Sequence, residues 1–130
     1  MKKFYILLIA LFIVNGAMAQ GCLPEGINFT TQAQVDNFQF NYPGCTEIEG
    51  DVRFQSDHSV SNLNGLSVLT SIGGDLTVHF NWSLSSLAGL ENLASVGGDL
   101  VISNNDSLTS LTGLEHLTSI GGSLQIGTAN

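Results

Sequence analysis

The sequence has very few basic residues. Lys and Arg together number 3 in 130 residues, against 11 Asp and Glu, and the formal net charge is −8. A surface of this charge repels the phosphates of nucleic acids and of anionic lipids. Nucleic acid is therefore not an expected partner.

Long apolar runs are also scarce, since only Phe4 to Val14 forms one. Lys2 and Lys3 precede this run and Ala17-Met18-Ala19 follows it, which is the layout of a cleaved secretory signal over residues 1–19. The run is too short to span a bilayer, and no second run of spanning length follows. The sequence predicts a secreted or cell-surface protein with no membrane span in its mature chain; a membrane anchor is the alternative.

Removal of the signal leaves Arg53 as the only strong base opposite 11 carboxylates, for a formal charge of −10. Only two cysteines are present, Cys22 and Cys45, and both lie in the exported part. Oxidising conditions favour a disulfide there, worth about 3 kcal/mol through its effect on the unfolded chain. The alternative is acylation of Cys22, but Ala19-Gln20-Gly21 lacks the apolar residue usual three positions upstream.

A 24-residue repeat dominates the rest of the chain. Ser71 to Val78 returns as Ser95 to Ile102 and again as Ser119 to Ile126, and a weaker copy runs from Ile48 to Phe54. A fixed period of this length means that each unit buries its apolar face by stacking on a neighbour.

Seven columns of residues, each spaced by 24, are apolar throughout. Leu76 and Val78 alternate with polar neighbours, which predicts a short strand that pairs in parallel with its copies about 4.8 Å away. Leucines then recur every three residues, which favours an arc of turns or a narrow helical segment. The columns are Ile48/Ile72/Val96/Ile120, Val52/Leu76/Leu100/Leu124, Phe54/Val78/Ile102/Ile126, Val60/Leu84/Leu108, Leu63/Leu87/Leu111, Leu66/Leu90/Leu114 and Leu69/Leu93/Leu117.

The segment from Gly21 to Thr46 shows no trace of the repeat. Thr31 and Gln34 fit a capping box, so a short amphipathic helix is expected from Thr31 to about Phe38, ended by turn residues at Tyr42-Pro43-Gly44. The expected fold is mainly β: a right-handed parallel β-solenoid of 24-residue coils with a disulfide-tied helical cap. The expected organisation is a signal at 1–19, the cap at 20–47 and the solenoid at 48–130, with further coils expected after Asn130.

The residues resemble a known family. Cys45-Thr46-Glu47-Ile48-Glu49-Gly50-Asp51-Val52-Arg53-Phe54 looks like the opening of a receptor L-domain, the leucine-rich solenoid of insulin and EGF receptor ectodomains. The repeat from Leu87 to Leu100 resembles the regular version found in exported proteins of Bacteroidota and in fungal cell-wall proteins. The resemblance implies binding of protein ligands, and does not imply receptor signalling.

Phe80 and Trp82 are unusual because their columns otherwise hold Ser56, Asn104, His58 and Asp106, all polar. With His79 beside them and His58 near, the rings could form a platform for a sugar ring or a partner side chain. Local packing of the loop, or contact with a missing neighbour, is the alternative. The candidate ligand-binding residues are Phe80, Trp82, His79, Thr77 and Arg53.

Asp51, Asp75 and Asp99 form an outward column that ends in Ser123. A bridging calcium would relieve their mutual repulsion, since carboxylates suit a hard cation. The alternative, favoured by the Ser at the last position, is that short polar side chains after glycine hold the backbone of a corner.

Asn81 and Asn105 share a column with Asp57 and are expected to form an inward ladder that bonds the backbone of the turn. Both also begin glycosylation triplets, as does Asn28. For Asn81 and Asn105 we interpret the triplet as a by-product of the repeat.

No motif for catalysis or metal binding stands out. His58, His79 and His116 fall on different columns, so a zinc pair is not expected, and no nucleophile elbow appears. The sequence predicts an exported interaction module that binds a protein or glycan through the sheet face, with no cofactor and no enzymatic activity. A structural spacer and a β-helix polysaccharide-active enzyme are the alternatives.

Overall fold

The computed structural model describes residues 21–127, and the predicted signal at residues 1–19 lies outside them. The described chain is mainly β and forms two parallel five-stranded sheets. We name the sheet of two-residue strands the narrow sheet, and the other the wide sheet. The narrow sheet contains β1 (Gly21–Cys22), β3 (Glu47–Ile48), β5 (Ser71–Ile72), β7 (Ser95–Val96) and β9 (Ser119–Ile120) in that order. The wide sheet contains β2 (Ile27–Phe29), β4 (Val52–Phe54), β6 (Leu76–His79), β8 (Leu100–Ser103) and β10 (Leu124–Gly127).

The 24-residue period of the sequence is also the offset at which the strands of successive repeats pair in both sheets. In the wide sheet Val52 pairs with Leu76, Leu76 with Leu100, and Leu100 with Leu124. In the narrow sheet Ile48 pairs with Ile72 at the same interval of 24 residues. The alternation of apolar and polar residues predicted the strands of the wide sheet. The strands of the narrow sheet have only two residues each, which is too short for such alternation to appear. We refer below to repeat 1 (residues 47–70), repeat 2 (71–94) and repeat 3 (95–118).

The expectation that residues 21–46 carry no trace of the repeat is wrong. Gly21 pairs with Glu47 and Ile27 pairs with Val52, so this segment supplies a first strand to each sheet. The offsets are 26 and 25 residues rather than 24, which hides the strands from a search at fixed period. The ring of Phe29 stacks on that of Phe54, with centroids 4.9 Å apart and planes 11° from parallel.

Two short helices follow these strands: α1 (Gln32–Asp36) and α2 (Phe38–Asn41). The predicted capping box is present, since Thr31 Oγ1 accepts from the amide of Gln34 and Gln34 Oε1 accepts from the amide of Thr31. The single predicted helix is interrupted at Asn37. Val35 and Phe38 point into the core from the two helices.

The predicted disulfide joins Cys22 to Cys45, with Cα atoms 5.7 Å apart. It connects β1 to the residue two places before β3. The first and second strands of the narrow sheet are therefore linked covalently as well as by hydrogen bonds.

The apolar columns form the core over repeats 1 and 2 and over the strands β7 and β8 of repeat 3. Leu66 and Leu90 are fully buried, but Leu114 is only partly buried. In β10 the exposed fraction rises to 57% for Leu124 and 51% for Ile126. The apolar columns are therefore buried in repeats 1 and 2 but partly exposed in the turns of repeat 3 and in β10, which is an edge strand of the wide sheet.

The leucines spaced by three residues lie on an arc of turns, as predicted. Leu66 donates to Leu63 O and Leu69 donates to Leu66 O, and a 3₁₀ helix spans Asn64–Leu66. The same pattern returns in repeat 2. Gly89 is required in this arc because its φ is +113° and a Cβ there would collide with Leu63 O.

Candidate functional site

The predicted aromatic platform forms a contiguous group of rings that we name the aromatic cluster: His58, His79, Phe80 and Trp82. The centroids of Phe80 and Trp82 are 6.5 Å apart with planes at 82°. His58 packs against Trp82 at 5.0 Å, and His79 against Phe80 at 3.8 Å. Edge-to-face contacts of this kind stabilise aromatic groups in a defined arrangement. Trp82 remains 39% exposed, so the cluster is open to solvent.

The buried Asn81 anchors the loop between the two large rings. Its Nδ2 donates to Phe54 O at 2.9 Å and to His79 O at 3.0 Å, and its backbone amide donates to Asn105 Oδ1 at 2.8 Å. Asn105 Nδ2 in turn donates to Val78 O. The predicted ladder of Asn81 and Asn105 is therefore present, and it fixes the backbone from which Phe80 and Trp82 project.

Repeat 1 contributes a different residue to this ladder. Asp57 pairs with Asn81 as an isolated bridge, but its side chain is exposed. The inward role belongs to its neighbour Ser56, whose Oγ donates to Asn81 Oδ1 at 2.8 Å and accepts from the amide of Val60. The hydroxyl of Ser56 thus bonds Asn81 from one position before Asp57. Comparison of residues spaced by 24 does not reveal this role, because Ser56 shares its column with Phe80 and not with Asn81.

Hydrogen bonds from both neighbouring repeats fix the backbone of Trp82. Its amide donates to Asp57 O at 2.7 Å, and Ser107 Oγ donates to its carbonyl at 2.5 Å. Rigid backbone support means that little conformational entropy remains to be lost when a ligand contacts the ring.

Phe80 has a left-handed backbone, with φ of +56°. Asn104, in the same column of repeat 3, has φ of 54°, and the left-handed residue of repeat 1 is Asp57, one column later, with φ of 55°. Asn and Asp tolerate this conformation, whereas a bulky residue in it is an outlier. The sequence showed that Phe80 was unusual in its column but not that its backbone is strained.

The remaining predicted ligand-binding residues lie on the outward face of the wide sheet. Arg53 pairs in register with Thr77, and His79 follows Thr77 on the same face of β6. Arg53 Nη2 is 3.0 Å from Asp51 Oδ2 in an exposed ion pair, which contributes little to stability. His79 Nδ1 and Ser103 Oγ are 2.6 Å apart. Arg53, Thr77 and His79 therefore share the outward face of the wide sheet, and the ring of His79 contacts Phe80 directly after β6.

Each carboxylate of the aspartate column (Asp51, Asp75 and Asp99) accepts a hydrogen bond from a backbone amide of the next repeat. Asp51 Oδ1 accepts from the amide of Asp75, and Asp75 Oδ1 accepts from the amide of Asp99 at 2.8 Å. Asp99 Oδ1 accepts from the amide of Ser123. This geometry favours the backbone-holding interpretation over a calcium site. Among residues 21–127, no three His, Cys, Asp or Glu side chains converge on a point that could hold a metal ion.

The glycosylation triplets differ in accessibility. Asn81 is fully buried and its side-chain amide is hydrogen-bonded, as is that of Asn105. Asn28, in contrast, is exposed at the centre of β2.

A pocket of about 370 Å³ lies against the edge of the last repeat. Ile102, Leu108, Leu111 and Ile126 contribute its apolar lining, and Asn105 and Asp106 are among its polar residues. The pocket shares no residue with the aromatic cluster and follows the exposed side of β10.

Comparison with known proteins gives one match. A family described as Receptor L domain matches residues 44–111, which is more than half of the 130-residue chain. The matched region includes repeat 1, repeat 2 and most of repeat 3, and therefore the whole aromatic cluster. No curated protein and no solved structure matches the chain.

Proposed function

Since the chain belongs to the receptor L domain family, we propose that it is an exported interaction module that binds a protein or glycan at the cell surface. The proposed ligand surface is the outward face of the wide sheet together with the aromatic cluster. Binding, rather than catalysis, is the role that this family membership favours.

The proposed architecture is a right-handed solenoid of 24-residue coils capped by residues 20–47. The constant 24-residue register supports the solenoid. The cap is supported by contacts of the helices with the turn of repeat 1: Gln32 Oε1 accepts from the amide of Ser61 at 2.9 Å, and Gln39 Nε2 donates to Gly65 O at 3.2 Å. A cap shields the open end of a stacked core from water.

The proposed location is extracellular. The Cys22–Cys45 disulfide is of a kind that persists under oxidising conditions, and the signal-like segment at residues 1–19 accords with export. Within residues 21–127, the structure contains no helix with the length and apolar character needed to cross a bilayer.

The observation that carries the proposal is the aromatic cluster on an otherwise regular repeat. Repeat 3 holds Asn104 and Asp106 where repeat 2 holds Phe80 and Trp82, so the fold does not require aromatic residues at these positions. Partly exposed rings on a hydrogen-bonded backbone suit recognition, because large rigid side chains contribute contact area at low entropic cost.

A binding comparison with matched variants tests the proposal. The purified protein, Trp82→Ala and Phe40→Ala are each mixed with a preparation of whole cell-surface material, and the bound fraction is measured by sedimentation. Phe40 is the control because it is an aromatic residue that is 85% exposed and lies on α2, outside the cluster. We expect binding by the parent and by Phe40→Ala, and loss of binding by Trp82→Ala. No binding by the parent would favour a structural spacer, and equal binding by all three would exclude the cluster as the site.

A further inference from the structure

We propose that the aromatic cluster binds a neutral oligosaccharide, which lies against the rings of Phe80 and Trp82 and donates hydroxyl hydrogen bonds to the carboxylates of Asp57 and Asp106. This inference rests on the proposed function and narrows its ligand to one chemical class. Three observations carry it: the strained backbone of Phe80, the polar residues at the positions that flank Trp82, and the charge of the surrounding surface.

The backbone of Phe80 indicates that its ring serves something other than stability. Its φ of +56° is unfavourable for a bulky residue, and its ring is only partly buried. Asn104 holds the same conformation one repeat later with φ of 54° and no such cost. Strained residues of this kind cluster at functional sites, where the surrounding structure holds them in place. Here the surrounding structure is the buried Asn81, whose side chain bonds Phe54 O and His79 O.

The positions that flank Trp82 in the neighbouring repeats hold polar residues. Its column holds His58 in repeat 1 and Asp106 in repeat 3, and its amide bonds Asp57 O. The side chains of Asp57 and Asp106 are exposed. An ionised carboxylate only accepts hydrogen bonds, so each suits the hydroxyl donors of a sugar. An apolar ring beside such acceptors matches a pyranose, which has a C–H face and a rim of hydroxyl groups.

The charge of the surface selects against anionic ligands. Arg53 is the only strong base among residues 21–127 and is already paired with Asp51. Anionic polysaccharides would meet the field of uncompensated carboxylates, which repels them. A neutral sugar avoids that repulsion.

Two other ligand classes fit the geometry less well. A stable protein interface buries about 800 Å² on each partner, so a protein would have to cover the outward face of the wide sheet as well as the four rings. In an aromatic cage an alkylammonium group lies against several ring faces at once. Here the ring of His58 packs against Trp82 and that of His79 packs against Phe80, so part of the ring surface is already covered within the cluster.

The chain contains a single tryptophan, so its fluorescence reports on this site alone. The test titrates the purified protein with cellohexaose, chitohexaose and mannohexaose, and follows Trp82 emission and its quenching by acrylamide. Polygalacturonate, an anionic glycan, and tetramethylammonium, a cation, are titrated in parallel. We expect at least one neutral oligosaccharide to shift the emission and to protect Trp82 from acrylamide, and the two charged probes to have no effect.

Phe80→Asn and Trp82→Asp install the residues that repeat 3 holds at the same positions, so both substitutions fit the repeat. Calorimetric titration should show at least tenfold weaker binding of the neutral oligosaccharide in each variant. Phe40→Ala should bind like the parent. Circular dichroism checks that each variant is folded.

Other results overturn the inference. If no neutral oligosaccharide changes the emission of the folded parent at millimolar concentration, or if the Phe80→Asn variant binds as tightly as the parent, the proposed ligand class is wrong. If tetramethylammonium alone binds, the site is one for cations. If cell-surface protein binds to the parent and not to Trp82→Asp while all sugars fail, this inference is overturned but the proposed function stands.

Discussion

Asp51 Oδ1 accepts a hydrogen bond of 2.9 Å from the backbone amide of Asp75, one repeat further along the chain. The carboxylate occupies the space where a side chain at Gly74 would lie, since a Cβ there would collide with Asp51 Oδ1. The same relation joins Asp75 to Asp99 and Gly98. Glycine and aspartate therefore recur together. Each aspartate carboxylate can reach the backbone amide of the aspartate in the next repeat because the residue before that aspartate is glycine.

The first prediction concerns this aspartate ladder. Asp75→Ala removes the acceptor for the amide of Asp99, and we expect a loss of about 1–3 kcal/mol in the free energy of unfolding, because a backbone donor loses its charged partner. Asp75→Asn keeps an oxygen acceptor and should lose less. Urea unfolding followed by circular dichroism measures both. Equal losses would show that charge at this position matters more than the hydrogen bond.

The second prediction concerns calcium. Because Asp51 and Asp75 each bond an amide of the next repeat, we expect the melting temperature to stay unchanged when millimolar calcium is added. A ligand that binds only the folded state would raise it. A calcium-dependent rise that disappears in Asp75→Asn would show that the column binds the cation after all.

The repeat made most of the fold predictable from the sequence. The apolar columns defined the core, and the period gave the register of the wide sheet. The first strands of both sheets were not predictable in this way, because β1 and β2 pair at offsets of 26 and 25 residues instead of 24. A period identifies strands only where insertions are absent.

The candidate site was predictable in part. Phe80 and Trp82 stood out as aromatic residues in polar columns, and the structure places them together with His58 and His79. The strain at Phe80 could not be read from the sequence because φ depends on where β6 ends. In repeat 1 the left-handed residue is Asp57, one column later than Phe80, because Ser56 turns inward.

The third prediction concerns the Asn81 anchor. Asn81→Ala leaves Ser56 Oγ and the carbonyl of Phe54 without their buried partner, so we expect a loss of about 3 kcal/mol in the free energy of unfolding. Asn92 is the matched control: it is exposed and donates to Ser67 O, and its alanine variant should change stability by less than about 0.5 kcal/mol. Thermal melting compares the two. A small loss for Asn81→Ala would mean that water replaces the amide in this turn.

The fourth prediction concerns the disulfide between Cys22 and Cys45. Its reduction frees the first strand of the narrow sheet from the second, and we expect a loss of about 3 kcal/mol in the free energy of unfolding. Melting of the Cys22→Ala/Cys45→Ala double variant against the oxidised parent measures the difference. Because β1 also pairs with β3, the double variant should still fold. An unchanged melting temperature would show that hydrogen bonds alone fix β1.

The fifth prediction separates stability from binding at Phe80. Asn tolerates the left-handed backbone that Phe80 adopts at φ of +56°, so Phe80→Asn should raise the free energy of unfolding by about 1 kcal/mol and the melting temperature by about 4 °C. Binding of the ligand should weaken at the same time. Asn104→Phe is the reciprocal variant, and it should lose stability because it places a bulky residue at φ of 54°. If Phe80→Asn is instead less stable than the parent, the contact of the Phe80 ring with His79 stabilises the loop by more than the backbone strain costs, and the ring would then be part of the packing of the fold.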